Sequence, residues 1–326
     1  MPSRLIVGRL PAPQKSIAAA LQSVSRDQFF AGLSIVLCAN GIASVVPELV
    51  RAVGAFNALL ASFNISAVVW IACFAGPWLL LKNDFMEDLT ATDIAGGLIV
   101  MGCALAPMGK LSWLGLTGLS LYIVRNSEAG TTRRRGALIL LAATGPMLWG
   151  PLLLTVFVQP IVRADAIIVA DLIGTPRFGN MINFAGSSRA FQISTGCSSL
   201  HGVSIAILAW TTITQIFRDR PSLKDAIWCL LAIFAVVAVN DIRLSLMALY
   251  PDYFEIIHGA PGSAIASWTS LALILAICLF GVRREIFAPG QTAILKGRTP
   301  ISGSQCRLLP TSEDRRRSGA DENATA

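Results

Sequence analysis

About eight apolar stretches, most of them roughly 17–25 residues long, dominate what this chain can become. At 1.5 Å per residue such a run crosses the ~30 Å hydrocarbon core of a bilayer as a helix. Inside lipid a helix satisfies every backbone N–H and C=O from within the segment. The stretches are 29–47, 63–81, 91–108, 111–124, 136–158, 197–217, 226–250 and 263–282, the fourth shorter than the others. Only 14% of residues are charged, against about 25% in a soluble domain, so the apolar surface exceeds what one globule hides. The expectation is an all-α, polytopic transmembrane helical bundle over 29–282. Residues 1–28 read as a cytoplasmic lead-in, and 283–326, rich in Arg, Ser, Thr and Gly, as a disordered cytoplasmic tail. The first stretch lacks a small-residue cleavage site and reads as a retained span.

Charge placement orients the bundle, because cytoplasmic loops of membrane proteins are enriched in Lys and Arg. With the N-terminus inside, the inner segments collect Arg4, Arg9, Lys15, Arg26, Lys82, Arg125, Arg133 to Arg135, Arg218, Arg220, Lys224, Arg283 and Arg284. The outer segments hold Arg51, Lys110, Arg163, Arg177 and Arg189, and 251–262 has neither Lys nor Arg. About eight spans keep this bias consistent and put both termini in the cytoplasm. The net charge of +7 is then a topology signal. No basic patch interleaved with aromatics points to nucleic acid. Residues 159–196 form the longest outer loop. Within it Ala164–Ile173 can lie as an amphipathic helix on the membrane surface, followed by the turn formers Gly174, Pro176, Gly179, Gly186 and Ser187. Gly96-Gly97 with Gly102 suggests close helix packing.

Seven cysteines stand singly, with no C-x-x-C pair to suggest a metal or redox centre. Most lie in apolar runs, where cysteine behaves as a small hydrophobe. Cys197 differs. It sits in the polar string Ser194 to Gly202 at the outer mouth of a span, where a helix starting near Ser194 or Thr195 would favour its thiolate. Arg243 lies in an apolar run, roughly 26 Å along its span and so near the outer interface. Asn240 shares its helix face, and Asp241 is a possible ion-pair partner. The two histidines are His201, four residues after Cys197, and His258 in the last outer loop, where Glu255 or Asp252 can orient it. A cysteine nucleophile needs a base and a group to orient that base. Spacing favours His201, and topology brings Cys197, Arg243 and His258 to one membrane face.

The strings Cys197-Ser198-Ser199-Leu200, Asn240-x-x-Arg243 and His258-x3-Gly262, in that order on three late spans, resemble the exosortase/archaeosortase family. Those are multipass membrane proteins regarded as cysteine transpeptidases or proteases that process C-terminal sorting signals. The resemblance implies catalytic roles for Cys197, Arg243 and His258. It implies exported partners whose C-terminus carries a short Pro-containing motif, a membrane helix and a basic end. It also implies a bacterial inner-membrane location with the site facing the periplasm, and no metal or organic cofactor. Asn240, His201 and Ser198 are the candidate substrate-contacting residues. Two features depart from the family pattern: Ser199 and His201 stand where many members have Gly and Arg, and Thr195-Gly196 stand where many have an acidic residue. Some relatives carry an extra domain linked to exopolysaccharide production, for which 283–326 is too short. The alternatives are a multipass transporter or channel, which needs no cysteine, and a membrane acyltransferase.

Overall fold

The computed structural model describes residues 24–60, 62–82, 87–106, 108–218 and 223–284. The lead-in before residue 24 and the tail beyond residue 284 lie outside the described residues, and so do the expectations placed on them. A helix occupies each of the eight apolar stretches. The first is α1 (Arg26–Ala43), whose capping box pairs the Ser25 hydroxyl with the Gln28 N–H and the Gln28 side chain with the Ser25 N–H. Two short helices follow, α2 (Val46–Val53) and α3 (Ala55–Leu60). Next come α4 (Ala67–Leu81), α5 (Ala91–Leu105) and α6 (Gly109–Arg125). The fifth stretch is α7 (Thr132–Thr144), continued through a widened π turn at Gly145–Trp149 into α8 (Gly150–Val156). Pro146 and Pro151 lack the N–H that regular turns require, which accounts for the widening.

By length and composition, Arg26–Val53, Thr132–Val156, Leu200–Phe217, Asp225–Leu249 and Ala260–Gly281 can cross a membrane, while the apolar helices α4 and α5 are shorter. Packing among them is tight where side chains are absent. A Cβ on Gly136 would lie 2.6 Å from the Gly76 carbonyl, and one on Gly76 would lie 2.5 Å from Leu140. The backbones of α4 and α7 therefore meet at a glycine pair. Of the glycines expected to serve this purpose, Gly97 does pack, against Phe29, but Gly96 and Gly102 face open space.

The expected outer loop 159–196 is folded, and it adds a small sheet to the otherwise helical architecture. It begins with α9 (Val158–Ile173), longer than the segment Ala164–Ile173 and ended by Gly174 in the left-handed conformation at φ 68°. It continues as a three-stranded antiparallel sheet, β1 (Arg177–Phe178), β2 (Met181–Asn183) and β3 (Ala190–Gln192), in the order β1-β2-β3. Four helices follow: α10 (Leu200–Phe217), α11 (Leu223–Leu249) and, after a tight turn at Pro251–Tyr253, α12 (Phe254–His258) leading into α13 (Ala260–Gly281).

Two apolar cores result. The larger joins α1, α4 to α7, α10 and parts of α11 and α13. The smaller lies at one end and forms a cap. Val162, Ala166 and Val169 of α9, at helical spacing, face Ile182, Phe184, Phe191 and Ile193 of the sheet region and Leu244, Met247 and Ala248 of α11. Phe254 and Ile257 of α12 pack against it, and Cys197 is one of its members.

The opposite end is held by charge. Arg133 on α7 is buried and donates to both carboxylate oxygens of Asp27 and, at 2.8 Å, to Glu87. Arg26 bonds Glu87 at 3.1 Å and Asp93 at 3.0 Å, and the Tyr122 hydroxyl donates to Asp93 at 2.8 Å. Arg135 donates to the Gln215 and Ile216 carbonyls at the C-terminus of α10, and Arg218 donates to the Gly281 carbonyl at the end of α13. These contacts draw the ends of α1, α6, α7, α10 and α13 to one side, the same ends that the charge bias assigned to one face.

Candidate active site

The three residues singled out from the sequence all belong to the cap or its rim. Cys197 closes a one-turn 3-10 segment, Thr195–Cys197, in which its N–H bonds the Ser194 carbonyl at 3.0 Å. The thiol is buried at 7% exposure and receives a weak hydrogen bond from the Ser194 hydroxyl at 3.7 Å. Helix α10 starts only at Leu200, with Ser199 as its N-cap. The expectation that Cys197 opens the helix is therefore corrected: it precedes α10 by three residues, and His201 does not share a helical face with it. The reason is local hydrogen bonding. The Ser198 N–H bonds the Thr195 carbonyl at 3.3 Å, and the Ser198 hydroxyl accepts from the Leu200 N–H at 3.3 Å, so the polar string spends its groups on a turn.

Two side chains one turn apart on α11 hold the cysteine and histidine segments. Asn240 Nδ2 donates to the Cys197 carbonyl at 2.9 Å. Arg243 Nε donates to the Ile257 carbonyl at 3.1 Å, and its Nη2 to the His258 carbonyl at 2.9 Å. Arg243 thus caps the C-terminal end of α12, where two carbonyls lack helical partners. It forms no ion pair with Asp241. Its Nη1 makes no hydrogen bond among the described residues.

The imidazole of His258 is exposed and stacks on Phe254, with ring centroids 5.3 Å apart and planes inclined by 6°. Phe254 in turn packs edge-on against Phe184 and at 5.6 Å from Phe191, so the histidine stands on the same aromatic cluster that roofs the cap. Glu255 and Asp252, expected to orient His258, make no hydrogen bond to it among the described residues. His201 is exposed on the first turn of α10, and its carbonyl accepts from the Ser204 hydroxyl. Neither histidine is hydrogen-bonded to the thiol.

Asp165 is a member of the site that was not singled out. It is buried at 3% exposure and accepts from the Ser199 hydroxyl at 2.8 Å and the Ser199 N–H at 3.3 Å. Burial pushes its carboxyl above the usual carboxylate range, against the opposing pull of its serine hydrogen bonds. It lies within electrostatic reach of Asp241, which is also buried and has one carboxylate oxygen without a hydrogen-bond partner. The sequence carried a signal for Asp165. It falls inside the apolar stripe Val162, Ala166, Val169, where a charged residue is out of pattern.

No family model, no curated protein and no solved structure matches this chain.

Proposed function

We propose that the protein is a membrane-embedded cysteine endopeptidase or transpeptidase acting on the C-terminal sorting signals of exported proteins. The observation that carries this reading is the pair of tethers on α11: Asn240 holds the backbone of the cysteine and Arg243 the backbone of the histidine. Chemistry-bearing residues from three distant segments are thereby fastened to one helix face. In this reading about eight helices cross a bacterial inner membrane, both termini are cytoplasmic, and the cap faces the periplasm.

The reaction follows from the groups. Cys197 Sγ, as thiolate, attacks the carbonyl carbon of the scissile peptide, and a C–S bond forms. Arg243 Nη1 donates to the resulting oxyanion. Collapse breaks the C–N bond, and the imidazolium of His258 gives its proton to the leaving amine. Water or an acceptor amine then attacks the thioester, His258 takes the proton of that nucleophile, and the C–S bond breaks to release Cys197 as thiolate beside the imidazolium. Substrate docking draws the exposed imidazole from its stack on Phe254 toward the thiol. Ser198 and Asn240 contact the substrate backbone.

The test co-expresses the protein with an exported candidate bearing a Pro-containing tail, a helix and a basic end, and follows the size of the tail on a gel. Wild type shortens it and Cys197→Ala does not. Equal shortening by both ends the cysteine mechanism. A transporter would lose nothing essential in Cys197→Ala. His258→Ala abolishes processing and His201→Ala leaves it largely intact; the reverse result transfers the acid/base role to His201.

A further inference from the structure

The sheet in the cap ends in an open edge, and that edge runs into the cysteine. Strand β3 pairs with β2 through Ile182↔Phe191, flanked by Met181↔Gln192 and Asn183↔Ala190. The Phe184 N–H bonds the Arg189 carbonyl at 2.9 Å, and the Ile193 N–H bonds the Asn180 carbonyl at 3.0 Å. Antiparallel ladders alternate bonded and non-bonded pairs. Residues 189, 191 and 193 therefore turn their backbone groups toward β2, and Ala190 and Gln192 turn theirs outward. On β2 the matching residue Asn183 bonds the Pro176 carbonyl on the other side, which fixes the same alternation independently.

The outward N–H and C=O groups of Ala190 and Gln192 make no hydrogen bond among the described residues, and no strand pairs with that edge. Gln192 is exposed and Ala190 half-buried. Free edges invite pairing, and proteins usually blunt them with a proline, a bulge, an inward-pointing charge or a covering element. Ala190, Phe191 and Gln192 include no proline and no charge, and the strand is three residues long. The inner face of the strand is fixed by Phe191, which packs on Phe254, the residue beneath His258. Through Phe191 and Phe254 the strand is linked to the proposed acid/base.

We infer that the outer edge of β3 is the substrate-binding strand: an extended peptide adds to it through backbone hydrogen bonds to Ala190 and Gln192 and delivers its next residues to Cys197. This rests on the reading of Cys197 as nucleophile. Chain order sets the direction. Strand β3 is followed by Cys197 and then by a helix apolar enough to enter a membrane. A substrate whose scissile bond precedes its own membrane helix follows the same order. It therefore pairs parallel to β3, with the residues before the scissile bond on the strand. Recognition through the backbone is tolerant of side chains, and pockets beside the edge add what selectivity there is.

The test uses the purified full chain in detergent and peptide mapping by mass spectrometry to follow alkylation of Cys197. The probes are acetyl-hexaalanyl chloromethyl ketone, whose electrophile follows the peptide in the required order, and chloroacetamide, which has the same leaving group and no strand. In both, Sγ displaces chloride, a C–S thioether forms, and the thiol proton goes to solvent. Gln192→Pro removes an outward N–H and no ladder bond, a change that edge strands tolerate. Hexaalanyl labelling should fall about three- to tenfold, the worth of one backbone hydrogen bond, while chloroacetamide labelling stays unchanged. Gln192→Ala should leave both rates unchanged. N-methylation of alternate amides on the probe should slow labelling of the wild type similarly, without any change to the protein.

Equal hexaalanyl rates in wild type and Gln192→Pro, or no effect of N-methylation, overturn the inference. So does a fall in detergent-corrected mass in Gln192→Pro, because the edge would then pair with a second copy. If the folded wild type resists chloroacetamide at Cys197, the nucleophile reading fails separately. A fluorescent hexaalanine amide then reads the edge alone by anisotropy, with weaker binding to Gln192→Pro expected and equal binding contradicting the inference.

Discussion

The two ends of the helix bundle contain the same kinds of charged residue and use them in opposite ways. At the Arg26 end, arginines meet carboxylates: Arg133 grips Asp27 and Glu87, and Arg26 grips Glu87 and Asp93. At the Cys197 end the charges are kept apart. Arg243 gives Nε and Nη2 to carbonyls and keeps Nη1 without a hydrogen bond among the described residues, Asp165 rests on serine groups, and Asp241 keeps a buried oxygen without a partner. A buried polar group left unsatisfied costs stability, and natural proteins keep such groups mostly where function needs them. The first end is a closed clamp on helix termini. The second leaves unspent hydrogen-bonding capacity around a thiol, which is what a site that must stabilise new charge requires.

Breaking the clamp should have the largest effect on stability. Arg133→Met leaves Asp27 buried without its guanidinium. It should cost about 3–5 kcal/mol, read as a lowered thermal midpoint in detergent, with the processing rate per folded molecule unchanged. A loss of rate at unchanged stability would erase the distinction between the ends. At the other end, Arg243→Lys keeps the charge but loses the fork that reaches two carbonyls and, in the proposed reaction, the oxyanion. The processing rate should fall by about 10²–10³, with a smaller change in thermal midpoint than Arg133→Met gives.

Asp165 sharpens the comparison further. Asp165→Ala strips the acceptor from Ser199 and should cost about 1–3 kcal/mol, whereas Asp165→Asn keeps one acceptor oxygen and should cost less. The pH dependence follows from the raised carboxyl. The fold disfavours its ionised form, so the wild type should gain stability as pH falls through the raised folded value toward the unfolded value of about 3.9. Asp165→Asn should lack that gain in denaturant titrations. Glu87 has the opposite sign. The Arg133 hydrogen bond holds its carboxyl below the usual carboxylate range. Its stabilisation is present above about pH 4.3 and fades as pH falls through the lower folded value. The carboxylate is half exposed, so Glu87→Gln should change stability by less than about 1 kcal/mol.

Hydropathy made the helices legible, because an apolar run of span length has few other uses. The cap was much less legible. Its strands are two or three residues long, too short for period-two alternation to emerge, so 159–196 reads as a loop until the sheet is seen. Cys197 was recognisable by its polar surroundings and Arg243 by its apolar ones. Their partners were not: Arg243 bonds backbone carbonyls 14 and 15 residues away, and carbonyls leave no mark in a sequence. The turn at Ser194–Cys197 reads in sequence as a helix start because serines cap helices and tight turns equally well. The β3 edge left no sequence signal, since it is defined by pairing on one side alone.

The most direct measurement looks for the covalent intermediate. Wild-type protein and a processed substrate are quenched in acid during turnover, and the Cys197 peptide is isolated and weighed. The expected result is a Cys197 peptide carrying the substrate's upstream fragment as a thioester, released by hydroxylamine. Shortening of the substrate with the Cys197 peptide unmodified throughout would contradict the assignment of the Cys197 end as the reacting site.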